Sequence, residues 1–328
     1  MINKNFIPIL PNGRWKIEEI LFWLVPVVSF FVFPGHLLLI SQIMIVGLFA
    51  LSLDLILGYA GIVSLGHAAF FGVGAYTAGL LSVHGWSEPL TGLFAAATVA
   101  GLVGYITSFL VLRGHDLTRL MVTLGIGLML FEAANKAAFI TGGVDGLSGM
   151  QMEKIFGIFE FDLNGKTAYI YSFLILFILF VVIRRMLCSP FGSSLIGIRE
   201  NSTRMSAIGV NVPLRLTTIY TVSAAIAGVA GALLAQTTQF VGLDSLGFSR
   251  SADLLIILVL GGTGRLYGAL VGAAIFMIAQ DYIATLNPTF WHFWIGLLLV
   301  LSVLYARGGI LGGIEKLGTY RKKIWPKV

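Results

Sequence analysis

The sequence predicts an all-α integral membrane protein, and three observations carry that reading. Of its 328 residues 57% are hydrophobic and 11% charged, with a mean hydropathy of +0.93, whereas a soluble domain carries about 25% charged residues. Apolar stretches of roughly 17–25 residues recur along the chain, each long enough to cross the hydrocarbon core as a helix. The basic residues gather in alternate connections, as they do in loops on the cytoplasmic side of a membrane.

In chain order, about ten stretches read as spans: residues 20–33, 37–57, 62–83, 91–112, 118–140, 168–187, 216–236, 252–260, 267–286 and 291–305. The first is short, holds Pro26 and ends at Pro34-Gly35; the eighth is too short to cross by itself. Broken or partial helices are expected at both. The N-terminal residues have no small-residue cleavage site after a short apolar core, so no removable signal peptide is expected. The whole chain, 1–328, reads as one transmembrane unit, with N-terminal spans over 20–187, a connection over 188–215, C-terminal spans over 216–306 and a basic tail over 307–328.

An even number of spans places both termini on one side. With the termini cytoplasmic, every Lys and Arg except Lys136, Lys154, Lys166 and Arg250 falls on the inside, and the connection 145–166 lies outside. Trp86, Trp291 and Trp294 then stand near outer ends, as an interfacial belt requires. The net charge of +6 and pI near 9.5 follow from this asymmetry and do not point to nucleic acid.

Two stretches have a texture of their own. In GYAGIVSLGHAAFFGVGAY (58–76), Ala60, Ser64, Ala68 and Gly72 recur every four residues; in GGTGRLYGALVG (261–272), Gly264, Gly268 and Gly272 do the same. Each reads as a helix face on which another backbone lies close, opening on a glycine-rich break. The pair is a weak internal echo of two halves.

The connection 184–215, RRMLCSPFGSSLIGIRENSTRMSAIGVNVPLR, carries five arginines and one glutamate. Ser189-Pro190 is a cap with a first-turn proline, Phe191, Leu195 and Ile198 follow at near-helical spacing, and Gly209 supplies a stop. A short surface helix or a bent pair is expected. The pattern leaves two readings open, a solvated connector and a docking surface.

Ionisable residues inside spans are Asp54, His67, Glu132, Lys136, Asp253 and Asp281. A charge at mid-bilayer costs about 2.5–3.5 kcal/mol on insertion scales, so such groups face protein or water. Glu132 and Lys136 stand four apart in the order that favours a helical ion pair, which reads as mutual neutralisation. Asp54, Ser64 and His67 surround the first glycine break, where Asp54 is placed to accept backbone N–H groups. No catalytic constellation appears, and no cofactor or metal is expected: the lone Cys188 provides no disulfide or thiolate cluster. Gly165-Lys166-Thr167 ends like a phosphate-binding loop but has Glu160 where the motif needs its first glycine. Nucleotide hydrolysis would therefore reside on a partner.

The two glycine-rich stretches, TGGVDGLSG (141–149) and SPFGSSLIGIRENSTRMSAIGVNV (189–212) closely resemble the permease subunits of bacterial branched-chain amino acid ABC importers, over residues 37–313. Ser64-Leu65-Gly66-His67-Ala68 with Ile198-Arg199-Glu200-Asn201 resembles the M type. The resemblance implies an ABC-importer permease fold in the bacterial inner membrane. It also implies a heterodimer with an H-type permease, two cytoplasmic ATP-binding subunits and a periplasmic substrate-binding protein. It puts the ATPase-coupling loop at Arg199, Glu200, Asn201, Arg204 and Gly209. Asp54, Ser64, His67 and Glu132 remain pathway or helix-break candidates, and Gly264, Gly268 and Gly272 packing positions. The sequence departs from the family after Thr123-Leu124-Gly125, where an acid is common and Glu132 comes late, and at Tyr267 and Ala269, where Trp and Pro are more frequent. Urea or short amides are the alternative substrates. A secondary transporter is the alternative class, and it needs intramembrane charges that are sparse in this sequence. A membrane enzyme would need clustered His, Asp or Cys at one bilayer face.

Overall fold

The computed structural model describes residues 15–286, apart from 115, 155–158, 160, 163 and 164, together with isolated positions between 288 and 309. Six helices are long and apolar enough to cross a membrane: Pro34–Tyr59, Pro89–Val111, Leu117–Lys136, Lys166–Leu187, Val212–Thr238 and Leu266–Leu286. The first comprises a 3₁₀ turn, helix α2 (Leu37–Asp54) and a π-helical turn, Leu55–Tyr59. The helices α1 (Ile17–Val32) and α3 (Ala68–Val83) are shorter, at 16 residues each. Of the about ten spans read from the sequence, six coincide with helices of spanning length among the described residues, and those at 20–33, 62–83 and 252–260 with shorter helices. The stretches 291–305 and 307–328 lie almost wholly outside the described residues.

The core forms around α10 (Val212–Thr238), whose 27 residues extend about 40 Å. It packs chiefly on α4 (Pro89–Val111), on α3 and on α2. Small residues make this possible, because a Cβ on Gly74 would overlap the Gly228 backbone and one on Gly231 would overlap the Phe71 carbonyl. Backbones that approach this closely gain dispersion contacts and lose no side-chain entropy. α1 lies outside this core and joins it through rings: Trp23 meets Phe177 and Phe180 of α7 (Lys166–Leu187) at centroid distances of 4.9 Å each. Most of its remaining surface is apolar and exposed, from Ile17 to Phe31.

Two spans break where the sequence reading kept them whole. The predicted helix 62–83 begins only at Ala68, because Gly61 (φ +73°) turns the chain out of the π turn and Gly66 presses against the Thr123 carbonyl, leaving 60–67 without helix. The predicted span 118–140 divides into α5 (Asp116–Lys136) and a short α6 (Ala138–Thr141), closed by left-handed Gly142. The short span expected at 252–260 is α11 (Phe248–Gly261). At 14 residues it reaches about 21 Å, less than the hydrocarbon thickness.

Two more helices, α8 (Pro190–Glu200) and α9 (Ser202–Ala207), lie between α7 and the start of α10. Past the far end of α10, Leu147 and Val241 exchange backbone hydrogen bonds of 2.8 and 3.1 Å in an isolated antiparallel bridge. That bridge joins the glycine-rich loop 142–149 to the loop after α10, at the end of the bundle opposite α8 and α9.

Candidate functional site

The α8–α9 pair is built by caps and two glycines. Ser189 caps α8 through its Oγ, which accepts the Phe191 amide at 3.2 Å, and Pro190 fills the first turn. Asn201 adopts an extended backbone that ends α8, and its Oδ1 accepts the Arg204 amide at 2.9 Å to start α9. Met205 folds back onto Gly197, where a Cβ would sit 2.5 Å from its sulfur, so the two helices close as a bent pair. Gly209 (φ +90°) turns the chain into Asn211, whose Oδ1 caps α10 at the Leu214 amide, 3.1 Å away.

Glu200, Asn201, Arg204 and Gly209 are exposed on this pair. So are two large apolar side chains, Ile208 at 68% and Leu214 at 60% exposure. Beside them opens a cleft of about 500 Å³ between Phe191, Val210, Asn211, Arg215 and Thr218. Ile208 lies outside the spans and Leu214 in the first turn of spanning helix α10, and exposed apolar groups beside a polar-rimmed cleft at a helix end mark a candidate protein contact.

Arg199, read from the sequence as part of the same surface, points the other way. Its guanidinium donates Nη1–H to the Gly58 carbonyl, and its stem crosses Gly61, where a Cβ would stand 2.9 Å from Arg199 Cγ. The chain leaves the helix at Ala60, so the Gly58 carbonyl has no amide in helical register to receive. A cation at that negative helix end supplies the missing donor. Half-burial draws the Arg199 guanidinium below its ordinary range, and the Asp54 carboxylate draws it back up. Asp54 is fully buried one π turn before the break, and its Oδ1 accepts the Gly264 amide at 2.7 Å. Gly264 opens the turn into α12 (Leu266–Leu286), whose N-terminal end favours an anion. Gly58 has no room for a side chain, since a Cβ would lie 2.6 Å from the Gly264 nitrogen. Three stretches singled out in the sequence therefore meet at one point.

The rest of the break is seated in hydroxyl groups. His67 is fully buried, with Nε2 2.9 Å from Ser52 Oγ and its ring stacked on Phe49 at 5.8 Å. The Leu65 amide donates to Thr123 Oγ1 at 3.2 Å, and the Ala68 amide to Ser251 Oγ at 3.0 Å. Ser64 is buried, and its hydroxyl has no hydrogen-bond partner among the described residues. Glu132 lies apart, 3.9 Å from Lys136, with the pair exposed on α5.

Of the three predicted packing glycines only two lie on a helix. A Cβ on Gly268 would come within 2.5 Å of the Gly262 carbonyl oxygen, and one on Gly272 would overlap that of Ile257, so these two bring α12 against α11. Gly264 (φ +75°) lies in the preceding turn.

The sequence reading missed Ser52 and Thr123, single hydroxyls in apolar spans whose only signal was their polarity, and Ser251, which stands between Arg250 and Asp253 at the edge of the short span. It also missed Glu19, which pairs with buried Arg184 at 2.9 Å while Trp15 lies 4.1 Å over the guanidinium.

A family model described as the permease component of the branched-chain amino acid transport system matches residues 36–303. Two permease proteins of high-affinity branched-chain amino acid transport, both named LivM, match 86% of this chain and 71% of their own length. The Escherichia coli protein is 29% identical and the Salmonella typhimurium protein 28%. The Escherichia coli permease LivH is 24% identical over 82% of this chain and 91% of its own length. No solved structure matches.

Proposed function

The chain belongs to the branched-chain amino acid transport permease family, and from that premise we propose that it works as the M-type membrane subunit of an ATP-driven importer for leucine, isoleucine and valine. The observation that carries this reading is the extent of the match, 36–303, which takes in the broken helix, the α8–α9 pair and the α11–α12 hairpin. A permease of this kind does no covalent chemistry. It needs a passage that opens and closes, and a surface through which another subunit drives it.

The partner set follows from that role. An H-type permease completes the membrane core, two ATP-binding subunits dock on the cytoplasmic side, and a periplasmic protein delivers substrate at the other face of the bacterial inner membrane. The capped, exposed pair α8–α9 supports a docking role for Glu200, Asn201, Arg204 and Gly209, because Ile208, Leu214 and the cleft beside them offer apolar area that a connector does not need. In this arrangement α8 and α9 face the cytoplasm and the Leu147–Val241 bridge faces the periplasm. The basic residues of the 184–215 stretch and the positive-inside rule support that orientation.

The sparse intramembrane charge suits a solute with no net charge, since an unpaired ion would lose hydration without gaining a partner. The complex reconstituted with both permeases, the ATPases and the binding protein is expected to accumulate radiolabelled leucine, isoleucine or valine when ATP is present. Excess lysine or glutamate should compete poorly. Uptake of urea with no competition from any branched-chain amino acid would reassign the substrate and leave the importer architecture standing. Uptake indifferent to ATP would overturn the importer reading itself.

A further inference from the structure

Arg199 belongs to the helix pair but holds the membrane domain. It is the last basic residue of α8, one position before exposed Glu200, yet its guanidinium reaches 141 residues back along the chain to the Gly58 carbonyl. The carbonyl it holds is the one released where α2 passes through a π turn and ends. A single wide turn inside a helix is a place where register and direction can change at small cost. On the opposite side of that turn Asp54 holds the first residues of the α12 turn through Gly264. The broken end of α2 is thus gripped from two directions, by the element that lies outside the spans and by the start of a spanning helix.

We propose that Arg199 is a positioning residue that carries movement of the α8–α9 pair to the broken end of α2, and through Asp54 to the start of α12. This rests on the importer reading above and adds to it the residue through which an ATPase-driven displacement enters the spans. Three observations support a transmitting role over a docking role. The guanidinium points away from the exposed face, its stem is packed against Gly61 with no space for a side chain there, and its acceptor is backbone rather than a surface group. A hydrogen bond from a charged donor to a helix-end carbonyl is strong and directional, so it transmits displacement better than an apolar contact that slides.

The test is made on the reconstituted complex with its partner permease, ATPases and binding protein, measuring uptake and ATP hydrolysis together. Arg199→Gln is expected to assemble with the ATPases and hydrolyse ATP, while leucine taken up per ATP falls about tenfold or more. Arg199→Lys should recover part of the ratio, because an ammonium donates to one carbonyl but lacks the guanidinium fork. Glu200→Arg, on the exposed face, should weaken ATPase binding in a pull-down, which Arg199→Gln should not. Wild-type uptake per ATP in an assembled Arg199→Gln complex overturns the proposal. Failure of the Gln and Lys variants alike to assemble overturns it too, by making the contact purely architectural. Absence of ATP-driven uptake by the unaltered complex would instead count against the importer reading.

Discussion

The carboxylate of Asp54 and the backbone amide of Gly264, 210 residues apart in sequence, meet at 2.7 Å inside the protein. Removing the acceptor leaves a buried N–H without a partner, at about 1–3 kcal/mol. Asp54→Ala is therefore expected to lower the thermal midpoint of the purified chain by several degrees. Asp54→Asn keeps an oxygen facing Gly264 and should retain most of the midpoint. Equal losses for Ala and Asn would show that the charge and not the hydrogen bond is what matters.

Glu19 and Arg184 form the second long-range clasp, and both side chains are largely buried, at 6% exposure for Arg184 and 15% for Glu19. Taking away one member of a buried pair costs about 3–5 kcal/mol when nothing else meets the remaining charge. Arg184 keeps other contacts, among them the Trp15 ring over its guanidinium, so a smaller loss is expected. Glu19→Ala should loosen α1 first, read as faster proteolysis ahead of α2 and a change in Trp23 fluorescence. A variant as resistant as the wild type would mean that the ring cluster and the hydrogen bonds of Tyr169 to Ser29 and Pro26 hold α1 without the ion pair.

Gly268 faces backbone that cannot move aside, with the Gly262 carbonyl 2.5 Å from any Cβ. Gly268→Leu should separate α12 from α11 and reduce the yield of folded chain more than Leu270→Ala, which removes side-chain volume from a buried position. Equal yields would remove the glycine contact as a requirement of the fold.

Cys188 is exposed at the end of α7, beside the start of α8. With this end of the bundle cytoplasmic, a membrane-impermeant thiol reagent should leave it unmodified in intact cells and label it in everted vesicles. Rapid labelling from outside the cell would reverse the orientation of every span.

What the sequence disclosed depended on whether the signal was local. The break after Gly58 was legible because glycines cluster beside an acid, whereas the amide that Asp54 accepts comes from the second glycine-rich stretch, at Gly264. The bent pair was legible from Ser189-Pro190 and Gly209, whose cap and turn are those observed. Arg199 was not legible as an inward group, since a charge run looks like a solvated face until the fold brings a distant carbonyl to it. Gly264 was misplaced on a helix because a four-residue spacing does not distinguish a helical glycine from one in the turn before it. Residues 62–67 read as helix because they lead without a proline into the apolar stretch 68–83, while the reason they are not helical, the close approach of Gly66 to Thr123, belongs to tertiary packing.

The Asp54–Gly264 contact also sets an order of assembly. A ribosome adding about 5–20 residues per second needs roughly ten to forty seconds to make the chain between the two. During that interval α2 is already in the membrane, and its buried carboxylate has no backbone amide from the α12 turn to receive. The end of α2 is completed only after synthesis has passed Gly264. A chain released before Gly264 would retain an acidic group stranded among apolar neighbours, a defect by which quality-control proteases could tell an unfinished permease from a finished one.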